Sequence, residues 1–63
     1  MTPLEMQRRL LSKEDQIELS QEDKTGLLLG HLRRFTKDFG EKDQFVQEMR
    51  VLYEKALRGE VEL

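Results

Sequence analysis

The chain has 63 residues, of which 11 are basic and 13 acidic, for a formal net charge of −2. A chain of this length forms one small domain at most and buries only ~60% of the surface that its unfolded form exposes. It has no cysteine and one histidine, which excludes disulfides, thiolate metal sites and a histidine-rich zinc site. Binding to a partner or self-association is the remaining way to stabilise so small a domain.

The composition also bears on location. The absence of cysteine is typical of the reducing cytoplasm. No apolar run approaches the ~18 residues of a transmembrane helix, and the first residues lack the apolar core of a signal peptide. We therefore expect a cytoplasmic protein with no membrane contact. Because the chain opens on Met1, we expect a complete small open reading frame.

The first residues have the composition of a helix start. Thr2 is suited to cap a helix, Pro3 fits the first turn, and Glu5 completes a capping box. This pattern predicts a short helix over residues 3–12 and a linker over 13–20. The predicted helix has three leucines on one side, Leu4, Leu10 and Leu11.

Two longer helices follow in the predicted order. A capping signal that begins at Ser20 predicts a helix over residues 21–39, which ends at Gly40, a residue suited to a left-handed cap. A third helix is predicted over residues 41–58. Residues 59–63, which we call the tail, are expected to be frayed. The alternative is an extended anchor, because residues 60–63 alternate polar and apolar side chains, as residues 16–19 do, and the two segments could even pair.

The two long helices share one spacing of apolar residues, with steps of 4, 3 and 4. The set, which we call the seam, is Leu28, Leu32, Phe35 and Phe39 on one helix and Phe45, Met49, Leu52 and Ala56 on the other. This spacing is typical of antiparallel helices packed face to face. We predict a single all-α domain over residues 1–63, an antiparallel helical hairpin with a short N-terminal helix. It would be a small three-helix domain or half of a four-helix bundle.

A second set of apolar residues lies beside the seam on the helical wheel. It comprises Leu27 and Leu29 on one helix and Val46, Tyr53 and Leu57 on the other. Burial of a large side chain contributes ~1.5–3 kcal/mol, so exposed residues of this kind favour a partner. We expect these five residues to bind a protein partner or a second copy of the chain in a homodimer.

Gly26 and Gly30 lie on one face of the second predicted helix, and Arg33 and Lys37 lie further along it. Each interior glycine costs ~1 kcal/mol relative to alanine. Another backbone could approach closely at the two glycines. The alternative, which we favour, is a helix that begins late or tolerates its glycines.

The concentrated basic residues are Arg33, Arg34 and Lys37. They could contact phosphates if the fold brought Arg8 and Arg9 near them. The alternative is a solvated polar face opposite the core. We favour the solvated face because the protein is net acidic, and we expect no strong nucleic-acid binding.

No catalytic, metal-binding or phosphate-binding motif is present. His31 has no titratable partner at a fixed spacing and is expected at the edge of the core. We therefore expect no enzyme, cofactor, metal or small-molecule substrate. The leading function is a non-enzymatic protein-interaction module, a small regulator, inhibitor or co-chaperone that covers a partner surface with an apolar helix strip. The alternative is a homodimeric helical-bundle regulator that binds nucleic acid.

In size and hairpin pattern the chain resembles two unrelated kinds of small helical protein. One is the plasmid copy-number regulator whose hairpins dimerise into a four-helix bundle and bind RNA. The other is the small hairpin co-chaperone of type III secretion, which covers a partner's exposed helix. Neither resemblance rests on a motif, and a shared fold does not fix function.

Overall fold

The computed structural model of the protein describes residues 2–11 and 18–63. Three helices lie wholly within these residues: α1 over Pro3–Leu10, α2 over Gln21–Phe39 and α3 over Gln44–Leu57. Helices α2 and α3 pack together as the hairpin, and α1 packs against α3. The predicted all-α hairpin with a short N-terminal helix is confirmed. Of the linker predicted over 13–20, residues 13–17 lie outside the described residues.

Side-chain caps fix where α1 and α2 begin. Thr2 Oγ1 accepts a hydrogen bond from the Glu5 backbone nitrogen at 3.2 Å. Ser20 Oγ accepts one from the Asp23 backbone nitrogen at 3.1 Å. Such caps satisfy amides that have no partner inside the helix. α1 ends at Leu10 rather than at residue 12, because Leu11 takes an extended backbone with φ −93° and ψ 136°.

The turn between α2 and α3 is longer than predicted. α3 begins at Gln44 rather than at residue 41, because Asp43 caps it. One carboxylate oxygen of Asp43 accepts hydrogen bonds from the Phe45 and Val46 backbone nitrogens at 3.0 and 3.2 Å. Before it, Gly40 takes a φ of 93°, which glycine adopts without a steric penalty.

Most of the seam forms the core of the hairpin. The buried members are Leu28, Leu32, Met49, Leu52 and Ala56. Phe35 and Phe45 are half-buried against this core. Their rings meet edge to face, with centroids 6.0 Å apart. The 4-3-4 spacing therefore predicts the helix–helix contact correctly over most of its length.

Phe39 is the exception, and its prediction as a buried seam residue is wrong. Its side chain is 61% exposed, although its ring stacks on Phe35 at 5.7 Å. Since Phe45 lies in the first turn of α3 and already packs against Phe35, Phe39 projects one turn beyond the end of the shared core.

The tail also packs against the helices, so the expectation that it is frayed is wrong. Leu63 is buried and Val61 packs against the core cluster. The side-chain amide of Gln21 donates to the Val61 carbonyl at 2.8 Å and accepts from the Leu63 nitrogen at 2.9 Å. The tail leaves α3 at Gly59, whose φ is 74°.

Candidate protein-interaction surface

The residues predicted to bind a partner do not form one surface. Val46 is 0% exposed and belongs to the core, so its placement on an exposed strip is wrong. Leu29 and Tyr53 are partly buried against the core cluster. Leu27 and Leu57 are 42% and 61% exposed. Only these last two have the exposure that binding requires, and their role in binding stays a prediction.

Val46 belongs to a core cluster to which elements outside the hairpin also contribute. Leu4 and Met6 of α1 pack against the core cluster, and Leu63 of the tail belongs to it. The short N-terminal helix and the tail therefore add apolar contacts to the core of the hairpin. Part of the apolar surplus seen in the sequence is therefore buried within the chain.

The glycines of α2 lie on an uncovered part of the helix. A Cβ atom added at Gly26 or Gly30 would meet nothing within 4 Å. The positive-φ glycines of the described chain are Gly40 and Gly59, so neither helical glycine is needed for its backbone conformation. Leu27 is exposed beside them, about 100° around the helix from Gly26. We call Gly26, Leu27 and Gly30 the glycine face.

The three basic residues of the alternative function, nucleic-acid binding, are all exposed. Arg33, Arg34 and Lys37 lie in the second half of α2. At helical spacing, Arg33 and Lys37 continue the line of Gly26 and Gly30. The basic end of this line would attract an acidic partner.

Arg8 of α1 does not join this group. Arg8 donates a hydrogen bond to the Glu62 carbonyl at 3.2 Å, next to the tail residues that Gln21 binds. Arg33 lies ~18 Å further along α2 from Gln21 at 1.5 Å per residue. A single phosphate-binding cluster of Arg8 with Arg33, Arg34 and Lys37 is therefore not formed.

A buried polar contact joins α1 to α2. Gln7 is 1% exposed, and its Nε2 donates to the Lys24 carbonyl at 3.2 Å. This bond turns Oε1 of Gln7 toward His31 Nδ1, at 2.8 Å. Because an amide oxygen only accepts, Nδ1 of His31 must carry the hydrogen.

His31 titrates at a lower pH than an ordinary histidine. Burial lowers its pKa below 6.5, and the positive charge of Arg34 lowers the pKa further. The side chain of Gln7 does not titrate, so the pair is suited to holding α1 in place rather than to acid–base chemistry. His31 thus lies at the edge of the core, as its sequence position predicts.

Two residues of the fold were missed by sequence reasoning. Gln7 follows Leu4 by three residues and precedes Leu11 by four, so it lies on the apolar stripe of α1. A polar residue on such a stripe is a signal for a buried hydrogen bond. Gln21 gives no comparable signal, because its partners Val61 and Leu63 are distant in the sequence.

Comparison with protein-family models, with curated proteins and with solved structures finds no match. Among residues 2–11 and 18–63, no histidine, cysteine and carboxylate side chains cluster as a metal site. In the same part of the chain, none of the helices combines the length and the apolar character needed to cross a membrane.

Proposed function

We propose that this protein is a non-enzymatic interaction module that binds a helix of a protein partner on the glycine face of α2. The observation that carries the proposal is the uncovered state of this face, where two glycines that the fold does not need leave the helix backbone open and Leu27 beside them is exposed. A glycine in the middle of a helix lowers stability by ~1 kcal/mol relative to alanine. Departures from local rules without a structural reason are concentrated at functional sites.

The geometry of the face fits a partner helix. Two glycines four residues apart leave the backbone of α2 bare, so the backbone of a second helix can approach closely. Leu27 supplies an apolar contact beside them. Arg33 and Lys37 extend the same line, which favours a partner helix with an apolar part followed by acidic residues.

A role as regulator, inhibitor or co-chaperone, and the cytoplasmic location, remain predictions from the sequence. The homodimeric form of the same proposal uses the glycine faces of two copies. The alternative of nucleic-acid binding through Arg33, Arg34 and Lys37 has less support. The chain is net acidic, and the contact of Arg8 with the tail separates it from these residues.

A pull-down from native host lysate tests the proposal, with nuclease-treated and untreated arms read by mass spectrometry. The parent chain is compared with Gly30→Leu, whose side chain enters open space. The matched control is Gln47→Leu, an exposed position on α3. We expect a protein that is captured by the parent and by Gln47→Leu with or without nuclease, and is lost with Gly30→Leu.

Sedimentation equilibrium of the same proteins detects the homodimeric form, which Gly30→Leu should dissociate. Capture of the same partner by Gly30→Leu and the parent would refute the glycine face as the binding site. Capture that requires nucleic acid and disappears with the double variant Arg33→Ala and Arg34→Ala would favour the alternative function.

A further inference from the structure

The tail occupies a groove whose contacts recognise peptide backbone. Three hydrogen bonds join Val61, Glu62 and Leu63 to the helices, and in each the tail contributes a main-chain group. Gln21 contacts the first and third of these residues, and Arg8 contacts the second. These bonds do not depend on which side chains the tail carries, provided that its third residue has a backbone N–H and so is not proline.

The side chains of the tail alternate in their environment. Leu63 is buried, Val61 is partly buried, and Glu62 between them is exposed. This alternation is the pattern of an extended segment with one face on an apolar surface. Arg8 and Lys24 line the same groove, which suits the acidic character of Glu62.

The groove has room beside the tail. An open cavity of about 690 Å³ lies against it, lined in part by Arg8, Gln21, Lys24 and Leu63. The tail enters this region after Gly59 and has no regular secondary structure. After Glu60, whose backbone nitrogen donates to the Lys55 carbonyl at 2.9 Å, the segment is held by three hydrogen bonds to helix side chains and by the apolar contacts of Val61 and Leu63.

We propose that this groove is a second binding site, which takes an extended acidic peptide segment of a partner protein with apolar residues at alternate positions. The tail is its intramolecular occupant and competes with that ligand. This groove is a different surface from the glycine face, so either proposal can fail without the other. The ligand's first and third residues take the places of Val61 and Leu63.

Because the tail competes with a free peptide for the groove, it determines the peptide concentration that a binding test needs. A short tether holds its ligand at an effective concentration in the millimolar range. A free peptide therefore binds the intact protein only weakly, and weakening the tail should expose the site. The probe is a fluorescein-labelled, C-terminally amidated peptide, Gly-Glu-Val-Glu-Leu, the sequence of residues 59–63.

Fluorescence anisotropy compares the parent with Leu63→Ser, which removes the tail's buried anchor. We expect Leu63→Ser to bind the probe at least ~10-fold more tightly than the parent, because the tail no longer competes. Adding Gln21→Ala to Leu63→Ser should abolish the binding. A control peptide with serine in place of valine and leucine should not bind.

Circular dichroism shows whether Leu63→Ser keeps its helices. A folded Leu63→Ser that does not bind the probe would overturn the proposal. If the variant unfolds, the deciding measurement is the ¹⁵N–¹H spectrum of the parent with several millimolar probe. Movement of the Leu63 amide signal to its free position, while the helix signals keep the dispersion of the folded protein, supports the proposal, and an unmoved Leu63 signal overturns it.

Discussion

Gln7 Oε1 accepts a hydrogen bond from His31 Nδ1 at 2.8 Å, and this contact joins α1 to α2 through a fully buried amide. The second hydrogen bond of the amide, to the Lys24 carbonyl, fixes its orientation. α1 therefore does not rest on the hairpin by apolar contact alone. Its position is set by a polar contact with a defined donor and acceptor.

The stability of the protein should depend on the charge of His31. Its pKa is lowered in the folded state by burial and by Arg34, so the unfolded chain takes up the proton first as the pH falls. The stability contributed by neutral His31 is full above pH ~6.5 and is lost as the pH falls through the lower pKa of the folded state. We expect the Tm to fall from pH 7.5 to pH 5.5 by more in the parent than in His31→Gln. Equal falls in the two proteins would contradict the lowered pKa.

The Gln7 amide can be tested by a change that keeps its size. Gln7→Met removes both hydrogen bonds and leaves the Nδ1–H of His31 without this acceptor. We expect the free energy of unfolding to fall by ~1–3 kcal/mol. Urea unfolding measures the effect, and Gln47→Met on the exposed side of α3 is the control, with an expected change within ~0.5 kcal/mol. Equal stability of the two variants would mean that the buried amide contributes nothing.

The centre of the seam should be sensitive to truncation. Leu32→Ala and Leu52→Ala each remove a buried side chain that packs between α2 and α3, and each should cost ~2–5 kcal/mol. Phe39→Ala is the comparison from the same pattern, and it should cost less because Phe39 is largely exposed. Thermal melts followed by circular dichroism give the ranking. A larger loss of stability for Phe39→Ala than for Leu32→Ala would contradict this location of the core.

The sequence predicts what depends on local spacing. The caps at Thr2 and Ser20, the extent of α2 and most of the seam follow from residues a few positions apart. The start of α3 differs from the predicted residue 41, because the side chain of Asp43 accepts hydrogen bonds from the Phe45 and Val46 amides and caps the helix there. Local patterns therefore predict the hairpin well and its edges less well.

Long-range contacts account for the remaining differences. The Leu63 nitrogen and Gln21 Oε1 are separated by 42 positions in the chain, and no periodic pattern links them. The core cluster also takes in Leu63 of the tail and packs against Leu4 and Met6 of α1, which single-helix wheels do not describe. Such wheels overestimate the exposed apolar surface of a chain whose short segments fold back onto it.

Val46 and Leu57 differ sharply in the exposed fraction of their side chains. Both were predicted on one strip, but Val46 is fully buried and Leu57 is exposed. Val46→Glu places a carboxylate in the apolar core and should unfold a domain of marginal stability. Leu57→Glu should change the free energy of unfolding by no more than ~0.5 kcal/mol. Circular dichroism at 25 °C compares the helix content of the two variants. A folded Val46→Glu would show that position 46 is open to water.

The glycines of α2 allow stability and binding to be separated. Gly26→Ala and Gly30→Ala add a methyl group in open space, and each should raise the free energy of unfolding by ~1 kcal/mol because alanine is the better helix former. Gly59→Ala is the contrasting control. Its φ of 74° is strained for alanine, and the change should cost ~1–2 kcal/mol.

If the glycine face binds a partner helix, the two stabilised variants should also bind that partner less well, since each added methyl group holds the two backbones apart. Urea unfolding and partner capture, measured on the same preparations, would show higher stability together with weaker binding. Stabilised variants with unchanged capture would mean that the glycines serve neither the fold nor this contact. A variant that lost stability instead would show that something already lies against the face.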